Sequence, residues 1–311
     1  MDHRVDVVDH SRFVYRPEQD RRLRDFPTDS VFGSADEQGE QEAHDEQQAQ
    51  ERMRQDATEM AKYQDILMAH QSHGLLVIIQ GMDAGGKDEA IRHVLSSMNP
   101  QGCRAKQFKE PTPEEQAHGF LWRAMAAAPA RGQVVVFNRS YYEQVVTERV
   151  HPGQIERRGL PAHVTGEQIW QTRFRQINDF ERYLTQNNIH VLKFYLHISW
   201  GEQRRRLIER LERPDKRWMF SSSDIEERAH WGAYMSAYEQ AFQHTSTEYA
   251  PWHIIPADHR WFGRAAIASV LLARLKSLHP SGYPRPSASE REQMEQARQQ
   301  LEGEGEAKET D

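Results

Sequence analysis

Residues Gly81 to Asp88, GMDAGGKD, carry the most specific chemical signal in this chain. Gly81, Gly86 and Lys87 keep the Gly-x-x-x-x-Gly-Lys spacing of a phosphate-binding P-loop, with Met82, Ala84 and Gly85 completing the loop. Successive backbone N–H groups in such a turn, the positive end of the helix that follows and the Lys87 ammonium can all face one anion. The competing reading is a tight turn at Gly85-Gly86 with a solvated lysine at a helix start. An apolar run, Leu75 to Ile79, feeds the loop as a strand and Glu89 to Met98 continues it as a helix, the context in which the motif binds phosphate.

Two carboxylates depart from an ordinary P-loop. Asp83 lies inside the loop, where it repels phosphate unless a divalent cation or arginines offset its charge. It is therefore the candidate metal ligand and orienting group. Asp88 stands where a P-loop NTPase usually has a Ser or Thr hydroxyl for Mg²⁺, and an acid in a first helical turn is also favoured by the helix dipole.

The second signal is Phe137-Asn138-Arg139-Ser140-Tyr141-Tyr142-Glu143, at the end of another apolar run. Open parallel sheets bind ligands beyond the carboxyl ends of their strands, so these residues should emerge beside the P-loop. Asn138 replaces the acid of a conventional Walker B strand; its amide can orient a substrate oxygen but carries no charge for a metal. Arg139 can fork onto phosphate. Glu143 can orient an arginine or a metal-bound water, or serve only a salt bridge.

The elements that must position these groups alternate. A helix from about Glu42 to Met68, with Met53, Ala57, Met60, Tyr63 and Leu67 as its stripe, precedes the first strand. Further strands are expected at Gln133 to Phe137, Ile189 to Ile198 and Trp252 to Pro256. Thr112-Pro113-Glu114-Glu115 has the cap, proline and capping-box glutamate that open a helix, expected to run to about Ala127. Thr165-Gly166-Glu167-Gln168 and Ser223-Asp224-Ile225-Glu226 read as further helix starts. Strands separated by helix-length segments predict an α/β fold with crossover connections. Between them, Glu148 to Gly166, with Arg149, His151, Glu156, Arg157, Arg158 and His163 around Gly153 and Gly159, reads as a lid or a solvated loop.

The 311 residues, 37% apolar, suffice for a sizeable core. The net charge of -7 gathers towards the ends, while Arg, Lys and His recur from Arg104 to Arg217. Residues 1 to 42 read as an irregular arm, 43 to 280 as the globular domain, and the Glu- and Gln-rich 281 to 311 as a disordered tail or solvated helix. The single cysteine, Cys103, excludes an intrachain disulfide, and neither a signal segment nor a membrane span is read, so the cytoplasm is the expected compartment.

Taken in order, GMDAGGKD, NPQG, FKEPTPEE, FLWR, FNRSYYE, LHIS, EQRRRLIER, RWMFSSSD and TSTEYAPWHIIPADHRWF resemble the polyphosphate kinase 2 family over about Met60 to His279. The resemblance implies a three-layer α/β/α sandwich with a parallel sheet, a P-loop kinase fold like that of thymidylate kinases. It further implies Mg²⁺ dependence, with Mn²⁺ as a substitute, and transfer of phosphoryl groups between inorganic polyphosphate and nucleotides. Asp83 takes the place of the family's catalytic aspartate. Asn138 resembles the subgroup accepting both AMP and ADP, and guanine nucleotides stay open as acceptors. Trp200-Gly201 departs from the polar residue that commonly follows the LHIS segment. The family's dimers and larger assemblies make a homodimer or homotetramer the expectation; neither nucleic acid nor membrane is an expected partner.

In that reading Lys87 grips phosphate, Asp83 holds the metal, and Arg139 meets the transferring phosphoryl group. The acceptor oxygen is already anionic, so no strong general base is needed. Arg92 and Lys109 are further phosphate candidates. Lys106, Arg123 and Arg204 to Arg206 are candidates for a track along the polyphosphate chain. An ATP-dependent nucleoside monophosphate kinase, a nucleic-acid-binding module and an inactive polyanion scaffold are the rivals.

Overall fold

The computed structural model describes residues 10–29, 40–156, 160, 166–279 and 281–308. Five strands form one parallel sheet: β1 (Gly74–Gly81), β2 (Cys103–Gln107), β3 (Val134–Asn138), β4 (Ile189–His197) and β5 (Trp252–Pro256). They lie side by side in the order β2-β3-β1-β4-β5. β1 is buried at every position because it is central and covered on both faces, which is why Leu75 to Ile79 reads as an unbroken apolar run.

Successive side chains of the strands point to opposite faces and divide the core in two. Leu76, Ile78, Val135, Phe137 and Tyr195 pack under α7 (Gln168–Gln186) and α10 (Trp231–Thr245). Leu75, Val77, Val136 and Phe194 pack under α1 (Glu40–His70), α2 (Lys87–Leu95) and α11 (Arg260–Leu278). The three-layer sandwich expected from the sequence is thus present. Shorter helices α3 (Pro113–Ala117), α4 (Trp122–Ala127), α5 (Thr147–Val150) and α6 (Gly153–Glu156) sit in the connections, and α8 (Trp200–Glu212) and α9 (Ser222–Ala229) follow β4.

Several local expectations need correction. β2 was not expected, because CRAKQ is largely exposed and has no apolar alternation; it exists through pairing with β3. The helix opened by Thr112 has its full capping box, with Glu115 N–H donating to Thr112 Oγ1 at 3.2 Å and Thr112 N–H donating to Glu115 at 3.0 Å. It stops at Ala117, and α4 starts afresh beyond Gly119. α9 is capped by Ser221, not Ser223. α7 follows Glu167 without a side-chain cap, and Thr165 lies outside the described residues. On α1 the buried stripe runs through Ala49, Met53, Asp56, Met60 and Leu67, leaving Ala57 and Tyr63 half-buried at its margin.

The described part of the N-terminal arm packs on its own chain. Tyr15 N–H donates to the Trp252 carbonyl at 2.9 Å, Val14 bridges to His253, and Tyr15 stacks on Phe26, so the arm covers the open edge of β5. The C-terminal tail, read as disordered or as a solvated helix, includes a helix, α12 (Ala288–Lys308), whose described side chains are exposed. No helix among the described residues is long and apolar enough to cross a membrane.

His197 and His253 sit near the carboxyl-end half of the sheet, and burial pushes both down to about 4. The unfolded chain binds these protons near pH 6.5, so folding stability is complete above that pH and lost as pH falls towards 4. Each histidine accounts for about 3 kcal/mol of that loss at 1.36 kcal/mol per pH unit. The urea midpoint is expected to fall steeply between pH 7 and pH 5, and His253→Gln should flatten that slope; an unchanged slope would refute the assignment.

Candidate active site

The P-loop forms because β1 ends in a turn that only small residues can make. Gly86 caps α2 with φ of 93°, in the left-handed region. At Gly85 a Cβ would lie 2.7 Å from the Met82 carbonyl oxygen. Ala84 also takes a positive φ, 61°. Lys87, the first residue of α2, folds back to donate to the carbonyls of Gly81 and Met82 at 2.7 and 2.9 Å. Its Nζ stands 3.9 Å from Asp83 Oδ1, so the lysine closes the loop on itself while its charge stays beside the cavity.

The loop after β3 lies against it, as the sheet topology requires. Arg139 has φ of 59° and donates to Asp83 Oδ1 at 2.5 Å. Its other guanidinium nitrogen is 3.5 Å from Glu143, which also accepts from Thr147 Oγ1 at 2.8 Å. Asn138 Nδ2 donates to Asp88 Oδ1 at 2.6 Å, tying the two motifs together and giving Asp88 an orienting partner. Burial pushes the Asp83 carboxyl up, but Lys87, Arg139 and Arg210 outweigh it and hold it below the usual carboxylate range. Glu143, against the cost of burial and with help from Asp83, keeps Arg139 firmly protonated.

Two cavities meet here. One of about 220 Å³ is lined by the P-loop, Asn138 and a basic group of Arg206, Arg210, Lys216 and Arg260. The other, about 680 Å³, is lined by Lys109, Arg123, Glu143, Glu148, Glu227 and Tyr234, among others. Asp83, Arg139, Gln107 and Asp224 line both. Asp224 is pushed up, first by burial and then by the negative charge of Asp83, the mark of two carboxylates across one junction.

Other expected site residues fall elsewhere. Arg92 is exposed on α2 and Lys106 is exposed on the edge strand β2; neither lines these cavities. Met82 is buried under the loop. Arg123 lines the larger cavity but is buried, donating to the Lys109 carbonyl at 2.8 Å, and so supports the loop carrying Lys109. Arg204 to Arg206 do not form one track, because consecutive helical residues point about 100° apart. Arg204 and Arg205 are exposed, with Arg205 paired to Glu202 at 2.6 Å. Arg206 is 2% exposed and braces the P-loop, donating to Ala84 O at 3.2 Å, Asp258 O at 3.1 Å and Ala257 O. Besides Lys87, Arg139 and Arg206, the smaller cavity is lined by Arg210, which the sequence places just after the arginine track, and by Lys216 and Arg260, which it does not single out. Of the lid region, α5 borders the larger cavity through Thr147 and Glu148; residues 157–159 and 161–165, including Arg157, Arg158, Gly159 and His163, lie outside the described residues. Trp200-Gly201 begins α8 behind the P-loop, capped by Ser199.

A P-loop at the carboxyl end of the central strand, opposed by an arginine-bearing loop from the neighbouring strand, defines a kinase of the P-loop α/β/α class. The sequence model of Polyphosphate kinase 2 (PPK2) matches residues 43–281, and the chain belongs to that family. It is 42% identical, over 81% of its length and 87% of the relative, to the ADP-polyphosphate phosphotransferase of Rhodopseudomonas palustris. It is 44% identical, over 75% of its length and 83% of the relative, to the AMP/ADP-polyphosphate phosphotransferase of Meiothermus ruber. The crystal structure of Polyphosphate Kinase 2 from Arthrobacter aurescens superposes with a TM-score of 0.77 at 34% identity, covering 91% of this chain and 98% of that one.

Proposed function

We propose that this protein transfers the terminal phosphoryl group of inorganic polyphosphate to AMP and ADP, forming ADP and ATP. The observation that carries this reading is the meeting of two cavities at Asp83 and Arg139. The smaller, walled by the P-loop and four basic side chains, suits a phosphate chain; the larger, with room for a nucleoside, suits the acceptor. Both relatives named above carry polyphosphate phosphotransferase names, one for ADP and one for AMP and ADP.

The P-loop N–H groups and Lys87 hold the donor, with Arg210, Lys216 and Arg260 spreading along its further phosphates. Arg139, drawn from Asp83 towards the incoming phosphate oxygens, neutralises charge on the transferring group. Lys109, on the loop that Arg123 braces, faces the acceptor phosphate. Because that phosphate is already anionic, alignment and charge neutralisation are the main demands on the protein.

Among the described residues no three His, Cys, Asp or Glu side chains are grouped to hold a metal ion. Asp83 and Asp224 supply carboxylates at the junction, which fits Mg²⁺, an ion usually held by one or two carboxylates together with substrate phosphates. Bound there, Mg²⁺ or Mn²⁺ would neutralise phosphate charge. Guanine nucleotides are secondary acceptors in this reading, the assembly is a homodimer or homotetramer, and the compartment is the cytoplasm.

The test is chromatography of AMP, ADP and ATP after incubation of pure protein with Mg²⁺, long-chain polyphosphate and AMP or ADP separately. Product from both is expected. Product from one alone narrows the acceptor, and transfer from ATP but not from polyphosphate would overturn the proposal.

A further inference from the structure

α9 contributes Asp224 to both cavities and Glu227 to the larger one, yet none of its side chains is buried. An element without a hydrophobic anchor keeps its place through polar contacts, and those contacts decide how well it is aligned. Asp224 is held by Arg210 at 3.0 Å, and Glu227 by Tyr234 at 2.6 Å and His151 at 2.9 Å. The remaining anchor, Arg228, lies one helical turn beyond Asp224 and leads elsewhere.

Arg228 lies over the Trp200 indole, its guanidinium carbon 3.3 Å from the ring centroid. One guanidinium nitrogen donates to the Trp200 carbonyl at 3.0 Å and to Gln203 Oε1 at 2.6 Å. Trp200 is in turn fixed edge-on by Trp231, 5.3 Å between centroids. Gln203 is 1% exposed, and its Nε2 donates to the backbone carbonyl of Asp83 at 3.0 Å. Since arginine can only donate and a carbonyl can only accept, the amide of Gln203 must face them in this sense.

We propose that Trp200, Arg228 and Gln203 form a positioning relay that couples α9 to the P-loop, so that Asp224 and Asp83 are aligned together. None of the three is a catalytic residue. The relay rests on the transfer reading for its effect on turnover, but its mechanical content does not. Gln203 is the only side chain that could serve in this place among those of its shape: glutamate keeps the acceptor for Arg228 but cannot donate to Asp83, and leucine does neither.

Gln203→Leu, Gln203→Glu and Arg228→Met are each expected to lower kcat about tenfold, the worth of one well-formed hydrogen bond, with KM for nucleotide moved less than threefold. The double variant Gln203→Leu/Arg228→Met should be no worse than Gln203→Leu alone, because both break one chain of contacts. Effects that multiply to about a hundredfold, or an Arg228→Met enzyme as fast as the parent, would overturn the relay.

A second readout is independent of turnover. Indole emission during titration with tripolyphosphate, compared with a Trp200→Phe control, should show a Trp200 component that responds to the anion. That response should vanish in Gln203→Leu while tripolyphosphate still raises its melting temperature. A response that persists in Gln203→Leu refutes the coupling even if no phosphoryl transfer is found in any form of the protein. Failure of transfer in the parent alone, with the response intact, would instead strike the proposed activity and leave the relay standing.

Discussion

Arg139→Met is expected to lower turnover with polyphosphate and nucleotide by about 10³-fold, the range over which an arginine stabilises a transferring phosphoryl group. Methionine keeps much of the side-chain volume but removes the charge, and it leaves Asp83 with one fewer positive neighbour. Arg139→Lys should recover part of the loss, because it restores charge without the planar fork. The position has a second, separable property. With φ at 59°, any residue but glycine is strained here, so Arg139→Gly is expected to be about 1 kcal/mol more stable than Arg139→Met while remaining as inactive. Steady-state kinetics and urea melts of the three variants check both halves. Turnover of Arg139→Met within tenfold of the parent would remove Arg139 from the chemistry.

The largest expected effect on stability lies beneath that loop. Lys193 is fully buried on β4 and donates to Glu181 at 2.6 Å, to the Thr245 carbonyl at 2.7 Å and to Tyr142 at 3.0 Å. Glu181 also accepts from the hydroxyls of Tyr141 and Tyr142, each at 2.8 Å. Burial pushes the lysine down, and Glu181 pulls it back towards the charged form. Lys193→Met leaves Glu181 as an unpaired buried charge and is expected to cost about 3–5 kcal/mol, a fall in melting temperature of roughly 10 °C for a chain this size. Adding Glu181→Gln should restore part of the loss, since the amide carries no charge and still accepts from the tyrosines. A double variant less stable than Lys193→Met would show that the ion pair is not the source. Tyr141 and Tyr142 belong to the loop bearing Arg139 and Glu143, so the same network anchors that loop.

The sequence by itself determined what is local. The P-loop, Asp83, Lys87, Asn138, Arg139 and Glu143 lie within two short segments that follow apolar strands, and neighbouring parallel strands end on the same side of the sheet, so their meeting was legible in the chain itself. The four apolar strands and the Thr112 capping box were legible for the same reason: each is specified by residues within one or two turns of chain. Tertiary structure alone decided which of many arginines and acids face the cavities. Arg206 lines the smaller cavity but is buried and braces the loop, Arg210, one turn on, lines the same cavity, and Arg205, the residue before Arg206, turns to solvent. Asp224 and Glu227 arrive on a helix with no buried face, and Gln203 reaches Asp83 across 120 residues of chain. β2 exists only because β3 offers it hydrogen bonds. Charge and composition are the same for an arginine that binds substrate and one that holds a backbone carbonyl; the difference is direction, and direction is set by how α8, α9 and α11 pack around the sheet.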